Sequence, residues 1–194
     1  MRIVPIAARF LLAAAPLALS APAVAQRPDP VALQAAQREA MAAFARMDGI
    51  WRGPAWSITP GGRHEVVQTE RIGTFLGGTV RVIEGRGYNE DGSVGFNALG
   101  VISFDPTTRA YTISSWAQGQ SGVFPIRPTE DGYVWEIPAG PGATIRYTAT
   151  IRDGALREIG ERIAGAAPPM QIFEMNLRRI GDSAWPAGDP VPMR

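Results

Sequence analysis

The sequence contains no cysteine, no lysine and a single histidine, and each scarcity excludes a class of function. Without cysteine there is neither a disulfide framework nor a thiol nucleophile. With His64 as the sole imidazole, the common zinc sites lack ligands. Without lysine, Schiff-base chemistry is impossible. We therefore predict no metal and no catalytic residue from these groups.

The first 25 residues have the features of a secretory signal peptide. Arg2 and Arg9 make the start positive, Phe10 to Leu19 form an apolar core, and Ala-Val-Ala at 23–25 is a small-x-small cleavage site. The predicted mature chain begins at Gln26 and lies in the periplasm or outside the cell. Since no other stretch approaches the roughly 18 apolar residues of a spanning helix, we expect no integral membrane segment after cleavage.

The charge balance argues against a nucleic-acid partner. Cleavage after residue 25 removes two arginines and leaves 17 of the 19 basic residues against 18 acidic ones. Such a chain cannot offset many phosphates, so we exclude nucleic acid. The remaining 169 of the 194 residues suit one domain, predicted over 26–184, and a Pro/Gly-rich tail follows at 185–194.

One helix is predicted near the start of the mature chain, over residues 29–47. Asp29 is a suitable N-cap, and Pro30 fits the first helical position. Leu33, Ala36, Ala40, Phe44 and Met47 recur at helical spacing, and Asp-Gly at 48–49 ends the pattern.

Short strands separated by turn residues follow the helix. The predicted strands are 51–58, one on each side of Gly77-Gly78, 94–104, 111–118, 123–126, 133–137, 143–151, 155–163 and 170–180. Asp153-Gly154 is a strong hairpin signal. Without further strand–helix alternation, about ten strands predict an antiparallel all-β fold.

The hairpin around Gly77-Gly78 has two faces of mixed polarity. If the two glycines form the loop, Phe75 lies opposite Val80 and Arg71 opposite Glu84. One face then holds charged and apolar residues together, and so does the other. A half-buried sheet normally separates the two kinds of residue. The mixing is typical either of a barrel with polar groups inside or of a long hairpin extending into water.

A helix followed by Gly49-Ile50-Trp51 resembles the start of the calycin superfamily. The segments TFLGGTVRVIEGRGY, LGVISFDPTTRAYTISSW, TATIRDGALREIGERI and QIFEMNLRRI are similar to a group of bacterial secreted calycin-like proteins, a domain of unknown function. The resemblance implies an up-and-down barrel of about ten strands. It also implies that Trp51 closes one barrel end, with Arg178 or Arg179 packing across it.

Haem-binding barrels of the nitrobindin type resemble the chain in size and strand number. They hold iron through a histidine near the C-terminal strands, and no histidine follows His64 here. This haem ligand is therefore missing, and no cofactor is predicted.

Arg71, Glu84 and Arg86 are the predicted ligand-binding residues, with Trp116 as a stacking surface at the barrel mouth. The three charges share one hairpin face and leave one positive charge in excess, which suits an anionic group. A surface ion pair remains the alternative, and the opposite face, with Glu70 and Arg81, remains an open choice. Ordinary packing is the alternative for Trp116.

No catalytic constellation is evident. Residues 119–123 read GQSGV, so the last glycine of the nucleophile-elbow motif is missing. Glu158 and Glu161 lie on opposite faces of one strand, which disfavours a carboxylate pair. Three hypotheses remain: a binding protein for a small apolar or amphipathic molecule with an anionic end, a structural or protein-interaction module, and a cofactor-free enzyme.

Overall fold

The computed structural model describes residues 29–183, and these form a closed antiparallel barrel. Each strand pairs with its neighbours in sequence, and the last strand pairs with the first. The strands are β1 (Gly49–Thr59), β2 (Gly62–Phe75), β3 (Val80–Tyr88), β4 (Val94–Asp105), β5 (Ala110–Ala117), β6 (Gln120–Pro128), β7 (Gly132–Pro138), β8 (Ala143–Arg152), β9 (Ala155–Ala164) and β10 (Met170–Gly181). The predicted ten-stranded, calycin-like up-and-down barrel with an N-terminal helix is confirmed.

The N-terminal helix occupies the predicted range in two geometries. Helix α1 spans Pro30–Met41, and a 3₁₀ helix continues from Ala42 to Met47. The Asp29 carboxylate caps α1 by accepting a hydrogen bond from the backbone N–H of Val31 at 3.0 Å. The apolar stripe ends in side chains buried against the barrel, which explains why the segment docks there.

Two hairpins show how local turn chemistry sets the strand register. Asp153 and Gly154 form a two-residue turn with φ of 50° and 68°, as the Asp-Gly signal predicts. The β2–β3 connection is longer than two residues, since Leu76–Gly78 form a short 3₁₀ turn. Its register is nevertheless the predicted one, with Arg71 opposite Glu84.

The helical end of the barrel is closed around Trp51, which is 1% exposed. Its indole Nε1 donates to the Met47 carbonyl at 2.8 Å. From the last strand, Arg179 donates to the Asp48 carbonyl at 3.3 and 3.2 Å. Gly49 has φ of 142°, and a Cβ there would lie 2.7 Å from Arg179 Nε. Of the two adjacent arginines, Arg179 therefore packs across this end.

An ion pair between the buried Arg81 and the partly exposed Asp48 fastens the 3₁₀ helix to the barrel. The Arg81 guanidinium donates to both Asp48 carboxylate oxygens at 2.6 and 2.9 Å and to the Met41 carbonyl at 2.8 Å. The Arg81 side chain is 3% exposed, so the bidentate pair offsets the cost of burying its charge. The arginine holds the segment that closes this end.

The predicted signal peptide, residues 1–25, and the predicted tail, residues 185–194, lie outside the described part of the chain. Within 29–183, no helix combines the length and apolar character needed to cross a membrane.

Candidate functional site

The barrel interior contains a cavity of about 450 Å³. It extends from Ile72, buried near the helical end, to the exposed His64 and Gln120 at the other end. Inward-facing residues alternate with outward-facing ones along every strand, as closure of the sheet requires. Most of the lining is apolar, including the side chains Val66, Phe96, Ile113, Ile126, Leu156 and Met175.

Aromatic side chains from neighbouring strands form one wall of the cavity. Trp135 stacks on Tyr147, with ring centroids 4.5 Å apart and planes inclined by 16°. Phe124 flanks Trp135 at 6.2 Å, and Phe173 meets Tyr147 edge to face at 5.8 Å. These rings offer a broad apolar surface with polarisable faces to anything inside the barrel.

Glu158 projects from β9 into this aromatic region and is 5% exposed. Its two carboxyl oxygens accept hydrogen bonds from the Trp135 indole at 2.8 Å and from the Tyr133 hydroxyl at 3.1 Å. Burial raises the pKa of Glu158 to about 7, and these two hydrogen bonds oppose the rise. Burial and the nearby Glu158 charge together raise the pKa of Tyr133, which stays neutral.

Glu70 is the second carboxyl of the cavity, on β2, and is 8% exposed. Its Oε1 accepts a hydrogen bond from the Gln68 amide at 2.7 Å, whereas its buried Oε2 has no partner. Burial raises the pKa of Glu70 to about 8; the Gln68 hydrogen bond opposes this, and the Glu158 charge adds to it. At neutral pH the group therefore carries a proton for most of the time.

Glycine on the neighbouring strand gives these polar side chains their space. Gly85 pairs with Glu70 and Gly87 with Gln68. A Cβ at Gly85 would lie 2.8 Å from Glu70 Oε1 and 3.1 Å from Oε2. A Cβ at Gly87 would lie 3.1 Å from Gln68 Oε1. The Gln68–Glu70 pair thus occupies volume that any larger residue on β3 would need.

The predicted ligand-binding charges lie on the outer wall. Arg71 and Arg86 are exposed, and Arg86 Nη2 is 2.6 Å from Glu84 Oε1. The structure brings all three together beside a separate outer depression of about 240 Å³. They do not line the barrel cavity, because the pleat turns the other face of the hairpin inward. That face carries Glu70 and Arg81, the choice left open by the sequence.

Trp116 is also on the outer wall. Its side chain is 48% exposed, whereas its neighbours Ser115 and Ala117 line the cavity. Trp116 itself is not among the residues that line the cavity, so the stacking surface expected from it at the barrel mouth stays a prediction. The aromatic surface of the cavity comes from Trp135 and its neighbours instead.

For Glu158, the other interior carboxyl, the sequence predicts only that it lies on the opposite strand face from Glu161. The prediction that the two lie on opposite faces is confirmed, and Glu158 is the buried one. For Gln68 and Glu70, the sequence contained a signal of an inward orientation: in the predicted register each lies opposite a glycine. A polar residue that faces a glycine on a buried face has room inside the barrel.

His64 lies at the mouth of the cavity and is exposed. It precedes Glu70 by six residues on the same strand, so the two Cα atoms are roughly 20 Å apart. The histidine and this carboxyl cannot act on the same atom. Within residues 29–183, no group of three or more His, Asp or Glu side chains is arranged to hold a metal ion.

No protein-family model matches the chain, and no curated protein sequence matches it. Among solved structures, the chain is similar to Rv2717c from M. tuberculosis, with a TM-score of 0.54 and 14% sequence identity. The likeness covers 73% of this chain and 97% of Rv2717c. At this identity, the similarity establishes a shared barrel fold.

Proposed function

We propose that this protein is an exported binding protein for a small, mainly apolar molecule held inside the barrel. The observation that carries the proposal is the cavity of about 450 Å³, with apolar and aromatic walls and two carboxyls, Glu70 and Glu158, among its lining residues. Small-molecule sites have this size and this combination of apolar lining with few polar groups. A solid interior would instead have favoured a structural module.

The polar end of the ligand is best sought among hydrogen-bonding partners of Gln68, Glu70 and Glu158. The described residues that line the cavity include no arginine, and His64 lies exposed at the mouth. Once ionised, the two carboxyls in this space would repel an anion. The anionic end expected from the sequence is therefore not part of this proposal.

An enzyme is the less favoured function. His64, the base that such an enzyme would use, is exposed at the mouth and remote from Glu70. Its imidazole and that carboxyl cannot assemble the hydrogen-bonded pair on which general-base activation depends.

Binding of N-phenyl-naphthylamine, a neutral apolar fluorophore, tests the proposal. Ser115 lines the cavity, and its cross-strand partners are Gly100 and Gly122, so a phenyl group at this position would fill interior space. We expect the wild type to bind the probe with a rise in fluorescence and Ser115→Phe to lose at least about tenfold in affinity.

Ser114→Phe is the matched control, since Ser114 is the adjacent residue on the opposite face of the same strand. It should bind the probe as the wild type does. Absence of probe binding to the wild type, or equal loss in both variants, would refute an interior site.

We also propose export to the periplasm or medium, supported by the N-terminal signal pattern of the sequence. The test is N-terminal sequencing of protein produced from the full chain. A mature terminus at Gln26 is expected; a cell-retained chain that keeps Met1 would contradict export.

A further inference from the structure

Building on the proposed function, we propose that the ligand of this barrel carries a protonated amine, which Glu70 and Glu158 hold inside the cavity. The class of ligand would then be a small amphipathic cation, with its apolar part against the aromatic wall. This assignment rests on the unpartnered oxygen of Glu70, on the lack of a cation to balance the two carboxyls among the described lining residues, and on the aromatic rings beside them.

The unpartnered acceptor is Glu70 Oε2. Its residue is 8% exposed, the oxygen is buried, and the side chain lines the cavity. Buried polar atoms almost always have a hydrogen-bond partner, because an unmade bond leaves the loss of hydration uncompensated. The Gln68 amide donates to the other oxygen at 2.7 Å, and the absence of a side chain at Gly85 leaves room for the carboxyl itself. A donor supplied by a ligand completes this set.

No cation of the described cavity lining balances the two carboxyls. Arg81, on the same hairpin face as Glu70, is committed to Asp48 and to the Met41 carbonyl. The nearby phenols Tyr133 and Tyr147 both have raised pKa values, that of Tyr147 reaching about 12, so they are neutral.

Protons balance these carboxyls when no cation is bound. Burial holds the pKa of Glu70 near 8 and that of Glu158 near 7. The negative charge of Glu84, on the outer face, adds slightly to the rise in the pKa of Glu70. His64 lies at the distant mouth of the cavity. An ammonium group can replace the protons, since it brings both a positive charge and several N–H donors. The Trp135 and Tyr147 ring faces attract a cation as well.

A neutral ligand with a carbonyl is the competing possibility, since a protonated Glu70 can donate one hydrogen bond. The two ligand classes differ in pH dependence. A cation replaces carboxyl protons, so it binds more tightly as pH rises and both carboxyls ionise. A carbonyl needs the Glu70 proton, so its binding weakens over the same range.

Displacement of bound N-phenyl-naphthylamine by decylamine, decanol and decanoate tests the inference, because the three probes share one alkyl chain and differ in the polar end. Between pH 6 and pH 8.5 we expect decylamine to bind at least about tenfold more tightly at the higher pH. Decanol should change by less than about twofold. At pH 8.5 the order should be decylamine, decanol, decanoate.

At pH 8.5, Glu70→Gln should lower the affinity for decylamine about tenfold or more and leave the affinity for decanol nearly unchanged. The reason is that the isosteric amide keeps the shape of the carboxyl and removes its charge. Glu84→Gln, on the outer face of the same hairpin, is the control and should change neither. Should Glu70→Gln fail to fold, Glu158→Gln and the wild-type pH series still decide the question.

The probe separates the two claims. If N-phenyl-naphthylamine does not bind to the wild type, the proposed function fails. If it binds and decanol or decanoate competes as well as decylamine at pH 8.5, the amine assignment alone is overturned. Equal loss of decylamine and decanol in Glu70→Gln would likewise overturn it.

Discussion

The two faces of the β2–β3 hairpin both carry charges but hold them in different ways. On the outer face, Arg86 pairs with Glu84 at 2.6 Å, and their side chains are 49% and 25% exposed. On the inner face, Arg81 is 3% exposed and bound by Asp48 from the helical segment. Glu70, also on the inner face, is buried, and its Oε2 has no hydrogen-bond partner among residues 29–183.

The difference separates charges that stabilise from charges that are available to a ligand. An exposed pair is solvated before and after folding, so it contributes little. A buried charge requires a partner, and Arg81 has one within the chain. Glu70 takes a proton instead, at a cost to folding in neutral and alkaline solution. We regard that cost as the mark of a binding role.

Removing the partner of the inner cation should have the largest effect. Asp48→Ala leaves the buried Arg81 guanidinium without a counter-charge, since only its hydrogen bond to the Met41 carbonyl remains. We therefore expect a loss of about 3–5 kcal/mol in the free energy of unfolding. The outer counterpart, Glu84→Ala, should shift Tm by no more than about 1 °C. Urea and thermal unfolding measure both. Equal effects would contradict the contrast between the faces.

The pH dependence of stability should follow Glu70. The folded protein keeps a proton that the unfolded chain releases above its ordinary pKa of 4.5, and the folded pKa is about 8. The stability is therefore fully present below pH 4.5 and is lost as pH rises to about 8. Glu158 adds to the loss up to pH of about 7.

Glu70→Gln removes one of these two contributions. As the pH rises from 5 to 8.5, the free energy of unfolding of the variant should increase relative to that of the wild type by on the order of 2–4 kcal/mol. Carboxyls whose pKa is lowered, such as Glu174, change charge below this range and do not interfere. Urea unfolding at the two pH values is the measurement, and parallel stability curves for the two proteins would count against a buried Glu70.

Filling the space at Gly85 should have a smaller effect. In Gly85→Ala, the new methyl group would lie 2.8 Å from Glu70 Oε1, so the carboxyl must move. We expect a loss of about 1–2 kcal/mol. In a Glu70→Ala background the conflict is gone, and the same change should cost little. A double-mutant cycle by urea unfolding tests this, and no coupling between the two positions would refute the contact.

The outer arginines should have the smallest effect. Arg71→Gln and Arg86→Gln should each leave affinity for N-phenyl-naphthylamine within about twofold and thermal stability almost unchanged. The reason is that both side chains are exposed on the outer surface of the barrel wall and do not line the cavity. Fluorescence titration and thermal unfolding measure the outcome. A loss of binding in either variant would restore the outer face as the site.

Local signals were enough to predict the fold. Asp29-Pro30 predicts the start of the helix, and Asp153-Gly154 predicts the β8–β9 turn. Period-two strands between such turns leave a closed antiparallel barrel as the arrangement that buries them. Even the register of the β2–β3 hairpin followed from Gly77-Gly78, although its loop is longer than two residues.

The site was not predictable in the same way, because it depends on which hairpin face closure turns inward. Both faces mix charged and apolar residues, so composition did not distinguish Arg71 from Glu70. The orientation is decided by distant parts of the chain: Asp48 neutralises Arg81, and strands β6, β7, β8 and β10 supply the aromatic side chains of the same cavity that Glu70 lines. Hydrophobic periodicity along one hairpin contains neither fact.

The central claim is that ligands enter the barrel and do not bind to its outer wall. A crystal structure of the complex with N-phenyl-naphthylamine tests this most directly. The account predicts electron density for the probe inside the barrel, against Phe124 and Trp135, with the wall beside Arg71 and Arg86 empty. Density on the outer wall around Trp116, or a complex with no probe in the interior, would contradict it.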